Sequence, residues 1–208
     1  MIIGIFGGIG SGKSTVLNIL KEEYKAHIIE ADKIAHALYL PGEEGYRIVL
    51  SLLGEEVLNE DGSLNRKRMG EILFQNSLLL AALNEKIHPL VRERIVEEIR
   101  HISADSENAL KEEKEEKRRQ NFVKPLIAVE AALLMPELDE LFDRKIYIYA
   151  DRESRIERLA QERNYSREKT LRIMENQPSE EEYRAYCDLE IDNGQSREDI
   201  ASRIKALF

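Results

Sequence analysis

A glycine-rich segment near the N-terminus constrains the fold of this chain more than any other feature. It has the pattern Gly-x4-Gly-Lys-Ser and reads Gly7-Gly8-Ile9-Gly10-Ser11-Gly12-Lys13-Ser14. An apolar run at residues 2–6 precedes it, and residues with helical spacing follow from Thr15 onward. A strand, a glycine loop and a helix in this order direct backbone N–H groups and a helix N-terminus at a polyphosphate. The segment therefore predicts a nucleotide-binding α/β fold.

Residue types within this segment suit a phosphate site. Gly7 and Gly12 allow backbone angles closed to other residues and let the chain approach a ligand closely. Lys13 would place a compact positive charge against the outer phosphates, and the Ser14 hydroxyl could bind Mg²⁺, which prefers oxygen ligands. A flexible turn with an incidental lysine is the alternative, which the flanking strand and helix disfavour. We expect the nucleotide to contact Gly8, Ile9, Gly10, Ser11, Gly12, Lys13, Ser14 and Thr15.

Composition narrows the class of protein. The chain has 208 residues, enough for one α/β domain with a small insertion, and no apolar stretch approaches the roughly 20 residues of a membrane span. Cys187 is its only cysteine, which excludes an internal disulfide and suits a reducing compartment. A net charge of -9 disfavours nucleic-acid binding. We expect a cytoplasmic protein with no nucleic-acid or membrane partner, either a monomer or a weak homo-oligomer.

Strand and helix patterns alternate along the chain, which is typical of a parallel sheet covered on both faces. We predict strands at residues 2–6, 27–30, 126–129, 145–149 and 189–191. The segment between the second and third strands is longer than a crossover requires. It is rich in helical patterns, at residues 47–53, 67–74, 78–87 and 91–102, and we interpret it as a helical insertion. A mixed-charge run at residues 112–119 is interpreted as a solvated helix face.

Acidic residues end two of the predicted strands, where ligands bind in open α/β sheets. Glu30 ends the second strand and Asp32 follows it, and either carboxylate could accept a proton from an acceptor hydroxyl. Asp32 could instead cap a helix predicted at residues 33–40, and position alone does not separate these roles. Glu130 ends the third strand, where many phosphate-loop proteins carry an acid that orients Mg²⁺ or its waters. A surface acid is the alternative reading for Glu130.

Basic residues form two further candidates. Arg155 and Arg158 are three residues apart on a helical pattern and share a face, so they could close over a transferring phosphate. The arginines beyond them are Arg163, Arg167 and Arg172. We favour a lid role for this group, with residues 164–178 as a mobile element. His88 and Arg92 flank a predicted helix start at Pro89 and could bind an acidic substrate group, although a packing role is the alternative for His88.

The ordered set of motifs resembles the dephospho-coenzyme A kinase family, over nearly the whole chain from Ile2 to about Ser196. Beyond the glycine loop, the matching segments are Asp32-Lys33-Ile34-Ala35-His36, Pro41-Gly42, Asp61-Gly62-Ser63-Leu64-Asn65-Arg66, Leu83-Asn84-Glu85-Lys86-Ile87-His88-Pro89-Leu90-Val91-Arg92, Arg158-Leu159 with Arg163, Asn176-Gln177 and Ile191-Asp192-Asn193-Gly194. The loop alone is shared by many families, so the order of these segments makes the resemblance specific.

This resemblance implies a fold and a reaction. The fold is a three-layer α/β P-loop kinase with a central parallel sheet of about five strands. We expect one domain, with a core at about residues 1–32, 124–154 and 186–208, a helical acceptor-binding insertion at about 33–123, and a lid at about 155–185. The reaction is the ATP-dependent, Mg²⁺-dependent phosphorylation of the ribose 3′-hydroxyl of dephospho-coenzyme A. This is the last step of coenzyme A biosynthesis.

The resemblance also implies roles for individual residues. Asp32 would be the base that faces the 3′-hydroxyl, and catalysis would fall to Asp32, Lys13 and Arg158. The acceptor would contact Asp32, His88, Arg92 and Glu130. Arg158 and Arg163 would contact phosphates from the lid, and Asn193 would lie near the adenine of ATP. Mg²⁺ would be bound by Ser14, with Glu130 acting through a water molecule.

The chain departs from the family pattern at a few positions. The family continues its third strand with Asp-x-Pro-Leu-Leu-Phe-Glu, where this chain has Glu130-Ala131-Ala132-Leu133-Leu134-Met135-Pro136. Glu30 stands where the family usually has Asp, and Arg155 where it usually has Gln. Another P-loop small-molecule kinase with a different acceptor is therefore the alternative. The lack of a glycine cluster after the third strand counts against a shikimate kinase, and the lack of Asn-Lys-x-Asp and Asp-x-x-Gly motifs counts against a guanine-nucleotide switch.

Overall fold

The computed structural model of the chain describes residues 1–112 and 125–208, with the backbone alone at residues 107–112. The described residues form two compact units, one of Met1–Glu30 with His101–Phe208 and one of Ala31–Arg100. Apart from its first residue, the mixed-charge run at 112–119 lies outside the described part of the chain. We call the two parts the sheet unit and the helical unit.

A parallel sheet forms the centre of the sheet unit. Its strands are β1 (Ile2–Phe6), β2 (His27–Glu30), β3 (Ile127–Ala131), β4 (Arg144–Tyr149) and β5 (Leu189–Asp192). They lie in the order β2-β3-β1-β4-β5, and every neighbouring pair is parallel. The prediction of a parallel sheet of about five strands is confirmed, with the first two strands at the predicted bounds.

The apolar strand sequences follow from burial on both faces of the sheet. In chain order the helices of the described residues are α1 (Lys13–Tyr24), α2 (Ala31–Leu38), α3 (Glu44–Leu53), α4 (Arg66–Gln75), α5 (Ser77–Glu112), α6 (Arg152–Arg163), α7 (Arg167–Glu175), α8 (Glu180–Tyr186) and α9 (Arg197–Lys205). Strand residues Ile3, Ile5 and Ile146 pack with α1 and α9 side chains in one buried cluster. Because parallel sheets are covered on both sides, their strands carry continuous rather than alternating apolar residues.

Polar caps fix where the later helices of the sheet unit begin. The side chains of Asp151, Ser166, Ser179 and Ser196 each accept a backbone N–H from the first turn of α6, α7, α8 and α9. At α8 the Glu182 side chain also bonds back to the Ser179 backbone and completes a capping box. Such caps satisfy N–H groups that have no partner within the helix. The caps therefore define where α6 and α7 begin after β4.

The helical unit corrects one prediction. The sequence predicts two helices at residues 78–87 and 91–102 with a boundary at Pro89, whereas α5 runs unbroken through that proline, so the predicted boundary is wrong. Apolar side chains recur every fourth residue on one face of α5 and are all buried; they are Leu83, Ile87, Val91, Ile95 and Ile99. Because this stripe packs continuously, it outweighs the one backbone hydrogen bond that proline removes. None of the helices in the described part of the chain has both the length and the apolar character of a membrane span.

Candidate active site

Residues 7–14, which we call the phosphate loop, connect β1 to α1 in the sheet unit. Inside the loop the Ser11 N–H donates to Gly8 O at 3.2 Å, and the Thr15 N–H donates to Gly12 O at 3.0 Å. Gly12 precedes α1 in the left-handed region, with φ 84°. The first turn of a helix leaves N–H groups without helical partners and carries the positive end of the helix dipole. This turn includes Ser14, whose side chain is exposed, and it can receive an anion.

Lys13 is held between the start of the loop and the end of β3. Its Nζ donates to Gly7 O at 2.7 Å and lies 3.1 Å from Glu130 Oε1. Both side chains are largely buried, with 12% of Lys13 and 10% of Glu130 exposed. Because water screens such a pair little, the two charges strongly influence each other. The arrangement places a cation and a carboxylate together at the carboxyl edge of the sheet.

This burial makes Glu130→Gln a test of the ion pair. We expect the free energy of unfolding to fall by about 1–3 kcal/mol, because Lys13 would keep its bond to Gly7 but lose its buried counter-charge. Urea unfolding measures the change, and Glu157→Gln at an exposed position of α6 is the matched control. A loss no larger than that of the control would mean that the pair contributes nothing to the fold.

Asn193, which follows β5, and Arg158 of α6 also hydrogen-bond to the phosphate loop. Asn193 is 8% exposed; its Nδ2 donates to Ser11 O at 3.0 Å, and its N–H donates to Tyr149 O at 2.8 Å. Arg158 Nη2 donates to Asn193 O at 3.0 Å, and its Nη1 lies 3.5 Å from Gly10 O. A Cβ on Gly12 would overlap the Asn193 amide, so only glycine fits there. Arg158 and Asn193 thus contact the loop through its carbonyl groups, at Gly10 and Ser11.

Two further side chains reach the loop at Ile9. One is Arg155 of α6, and the other is Gln177, which follows α7. Sequence reasoning gives Gln177 no role beyond its match to the family pattern. The only signal in the sequence is its place in the predicted lid, and no local pattern connects it to Ile9.

The remaining predicted residues belong to the end of α6 and to the helical unit. Arg163 is the last residue of α6 and is exposed. In the helical unit, Asp32 is exposed in the first turn of α2, which begins at Ala31. The alternative reading of Asp32 as the cap of a helix at residues 33–40 is therefore wrong. His88 and Arg92 are one turn apart on α5 and are partly buried.

The altered segment after β3 has its own packing. The Tyr183 hydroxyl of α8 donates to Ala132 O, where the family pattern has proline. The Tyr183 ring stacks on Tyr147 with centroids 4.8 Å apart and planes 6° from parallel. Burial raises the pKa of Tyr183, and it raises the pKa of Tyr147 to about 12, so both hydroxyls stay protonated near neutral pH. Met135 is buried within the same segment. A tyrosine from α8 therefore anchors the segment that lacks the usual proline.

The oxygen donors present fit a Mg²⁺ ion of the kind used in phosphoryl transfer. No cluster of three or more His, Cys, Asp or Glu side chains suited to a metal occurs among residues 1–112 and 125–208. In kinase sites, however, Mg²⁺ usually takes only one or two protein ligands and completes its shell with phosphate oxygens and water. The Ser14 hydroxyl and the Glu130 carboxylate supply ligands of that type.

Comparison with known proteins agrees with this geometry. The family model described as "CoaE: Dephospho-CoA kinase" matches residues 1–199. A Frankia casuarinae protein named dephospho-CoA kinase is 34% identical over 208 residues, which covers 99% of this chain and 81% of that protein.

Two solved structures are also similar over nearly the whole chain. The crystal structure of a Thermus thermophilus protein has a TM-score of 0.74 and 27% identity, covering 100% of this chain and 95% of that one. A dephospho-CoA kinase from Campylobacter jejuni has a TM-score of 0.65 and 25% identity, covering 99% of this chain and 94% of that one. The resemblance predicted from the ordered motifs is confirmed, and the chain belongs to the dephospho-CoA kinase family.

Proposed function

We propose that this chain transfers the terminal phosphoryl group of ATP to the ribose 3′-hydroxyl of dephospho-coenzyme A, the last step of coenzyme A biosynthesis. Its family uses ATP and dephospho-coenzyme A as substrates and requires Mg²⁺. The observation that carries the proposal is the phosphate loop with Lys13 held against Glu130, in a chain that matches this family over residues 1–199. A P-loop kinase with another acceptor is not favoured, because the named relatives share one substrate.

We assign nucleotide binding to the sheet unit. Amides of the phosphate loop and the first turn of α1 would hold the β- and γ-phosphates, and Lys13 would turn from Glu130 toward the outer oxygens. The Ser14 hydroxyl, with Glu130 orienting water, would hold Mg²⁺, which would supply further charge neutralisation. In phosphoryl transfer the protein itself performs little covalent chemistry. Positioning and electrostatic stabilisation therefore account for most of the acceleration.

We assign the proton transfer to Asp32. Its carboxylate would accept the 3′-hydroxyl proton as that oxygen bonds to the γ-phosphorus. The bond from the phosphorus to the β,γ-bridging oxygen breaks, and ADP leaves with the electron pair. Support comes from position, since Asp32 is exposed and lies two residues beyond the carboxyl end of β2, where catalytic residues of open α/β sheets occur.

The other site residues have proposed roles in acceptor and nucleotide binding. We propose that residues 33–123 bind the acceptor, with His88 and Arg92 as a basic pair one turn apart on α5. Residues 155–185 would act as a lid, from which Arg158 and Arg163 contact phosphates. The segment at Asn193 would lie near the adenine, while its side-chain amide holds the loop at Ser11.

The proposals on location and nucleic-acid binding rest on composition. We propose a cytoplasmic protein that acts as a monomer or weak homo-oligomer and does not bind nucleic acid. A net charge of -9 and a single cysteine support this proposal.

The direct test is incubation of the purified protein with Mg-ATP and dephospho-coenzyme A. We expect equal amounts of ADP and of a product that carries one phosphate more than dephospho-coenzyme A. ³¹P NMR should place the new phosphate at the 3′ position. Coenzyme A, already phosphorylated there, is the matched control and should give no ADP. A panel with shikimate and nucleoside monophosphates tests the alternative. If ATP binds but no 3′-phosphorylated product accumulates, the acceptor assignment is wrong.

A further inference from the structure

Two side chains hold the main chain of Ile9 by both of its polar groups. The Ile9 N–H donates to Gln177 Oε1 at 2.8 Å, and Ile9 O accepts from Arg155 Nε at 2.9 Å. Ile9 lies at the middle of the phosphate loop, between Gly8 and Gly10. We call Arg155 and Gln177 the clamp. The Ile9 amide is therefore already engaged by protein and not left for a phosphate oxygen.

The space for the clamp comes from Gly8. A Cβ on Gly8 would overlap Arg155 Nη2 and lie 2.9 Å from Gln177 Oε1. Gly8 is not among the glycines with positive φ, so its backbone conformation would accept an alanine. The clamp side chains, rather than backbone angles, thus exclude a side chain at this position.

The clamp joins the loop to two separate parts of the predicted lid. Arg155 belongs to α6, whose start is fixed by the Asp151 cap, and Gln177 follows the C-terminus of α7. Burial lowers the pKa of the Arg155 guanidinium, which still remains charged near neutral pH. A partly buried donor of this kind contributes mainly through its directed bond, here to Ile9 O.

We propose that Arg155 and Gln177 are positioning residues for ATP, which fix the phosphate loop in its binding conformation through the Ile9 main chain. The loop amides other than that of Ile9 must point toward the phosphates together, and a loop rich in glycine has many other conformations available. Holding both polar groups of one central residue removes most of that freedom before ATP arrives. The clamp also makes ATP affinity depend on the lid. The inference rests on the proposed function only for the identity of its ligand.

The test compares two substitutions of Gln177. Gln177→Leu removes the acceptor at similar volume, whereas Gln177→Glu keeps an acceptor oxygen beside Arg155. For Gln177→Leu we expect the Kd for Mg-ATP to rise about 3–10-fold, as for one lost hydrogen bond. Hydrogen exchange at the Ile9 amide should also become faster, with kcat at saturating ATP changed less than about 2-fold. For Gln177→Glu we expect both quantities to remain near the unmodified values.

Calorimetry and NMR hydrogen exchange measure these effects, and Gln161→Leu at an exposed position of α6 is the matched control. Gly8→Ala should also weaken ATP binding, because its methyl group would displace the Arg155 and Gln177 side chains from Ile9. Combined with Gln177→Leu it should give less than the sum of the two effects, because both act on one contact. This second variant keeps the test possible if Gln177→Leu fails to fold.

Three results would contradict the positioning role of Arg155 and Gln177. They are unchanged ATP affinity and Ile9 exchange in Gln177→Leu, effects equal to those of Gln161→Leu, or a fall in kcat with an unchanged Kd. Binding and exchange need no acceptor, so these results are independent of whether dephospho-coenzyme A is phosphorylated.

Discussion

Asp32→Asn is expected to slow phosphoryl transfer by a factor of about 10²–10⁴ while the Kd for Mg-ATP stays within about 2-fold of its original value. Asparagine keeps the size of the side chain but cannot take a proton from the 3′-hydroxyl. The residue is exposed, and the side chains of Gln177, Lys13 and Asn193 hydrogen-bond to the phosphate loop. Single-turnover rates at saturating substrates measure the first quantity, and calorimetry measures the second.

Glu30→Gln is the matched control for this substitution. Glu30 is the last residue of β2, two positions before Asp32, and the sequence alone leaves either carboxylate as the base. If Glu30→Gln lowered the rate of phosphoryl transfer by about 10²-fold or more while Asp32→Asn left it nearly unchanged, Glu30 would be the base. If both substitutions cost little, neither carboxylate is the base, and the mechanism rests on positioning alone.

The elements of the sheet unit could be predicted because their signals are local. Short apolar runs set β1 and β2 at their observed bounds, and Gly-x4-Gly-Lys-Ser predicts the loop and the start of α1. Long-range pairing has no such signal. The order β2-β3-β1-β4-β5 depends on which strands pair across the sheet, and the bond from Ile9 to Gln177 joins residues 168 positions apart. Local patterns cannot report contacts of that separation.

The error at Pro89 has a different physical origin. Proline marks a helix boundary in sequence because it lacks an N–H and clashes with the preceding turn. In α5 the buried stripe that includes Ile87 and Val91 continues through it on the same face. Tertiary packing of that stripe outweighs the local penalty, and packing is not visible from the proline alone. The match of this region to the family concerns residue identities and does not depend on where a helix begins.

Lys13→Ala should impair both binding and chemistry. Losing a charged donor to the phosphates is expected to raise the Kd for Mg-ATP about 10–100-fold. It should also lower kcat about 10²–10³-fold, because charge on the transferring group is no longer stabilised. Lys21→Ala, at an exposed position on α1, is the matched control for loss of a lysine. Equal loss of ATP affinity in Lys13→Ala and Asp32→Asn would contradict the division of labour between nucleotide binding and proton transfer.

The same substitution also removes the partner of Glu130, so stability has to be separated from activity. With Glu130 left buried without Lys13, we expect the free energy of unfolding to fall by about 3 kcal/mol. Adding Glu130→Gln to Lys13→Ala should restore much of that stability, since an amide tolerates burial better than a carboxylate that has lost its lysine. It should restore none of the activity, because the charge at the phosphates is still missing. Recovery of phosphoryl transfer in the double variant would mean that Lys13 serves the fold and not the nucleotide.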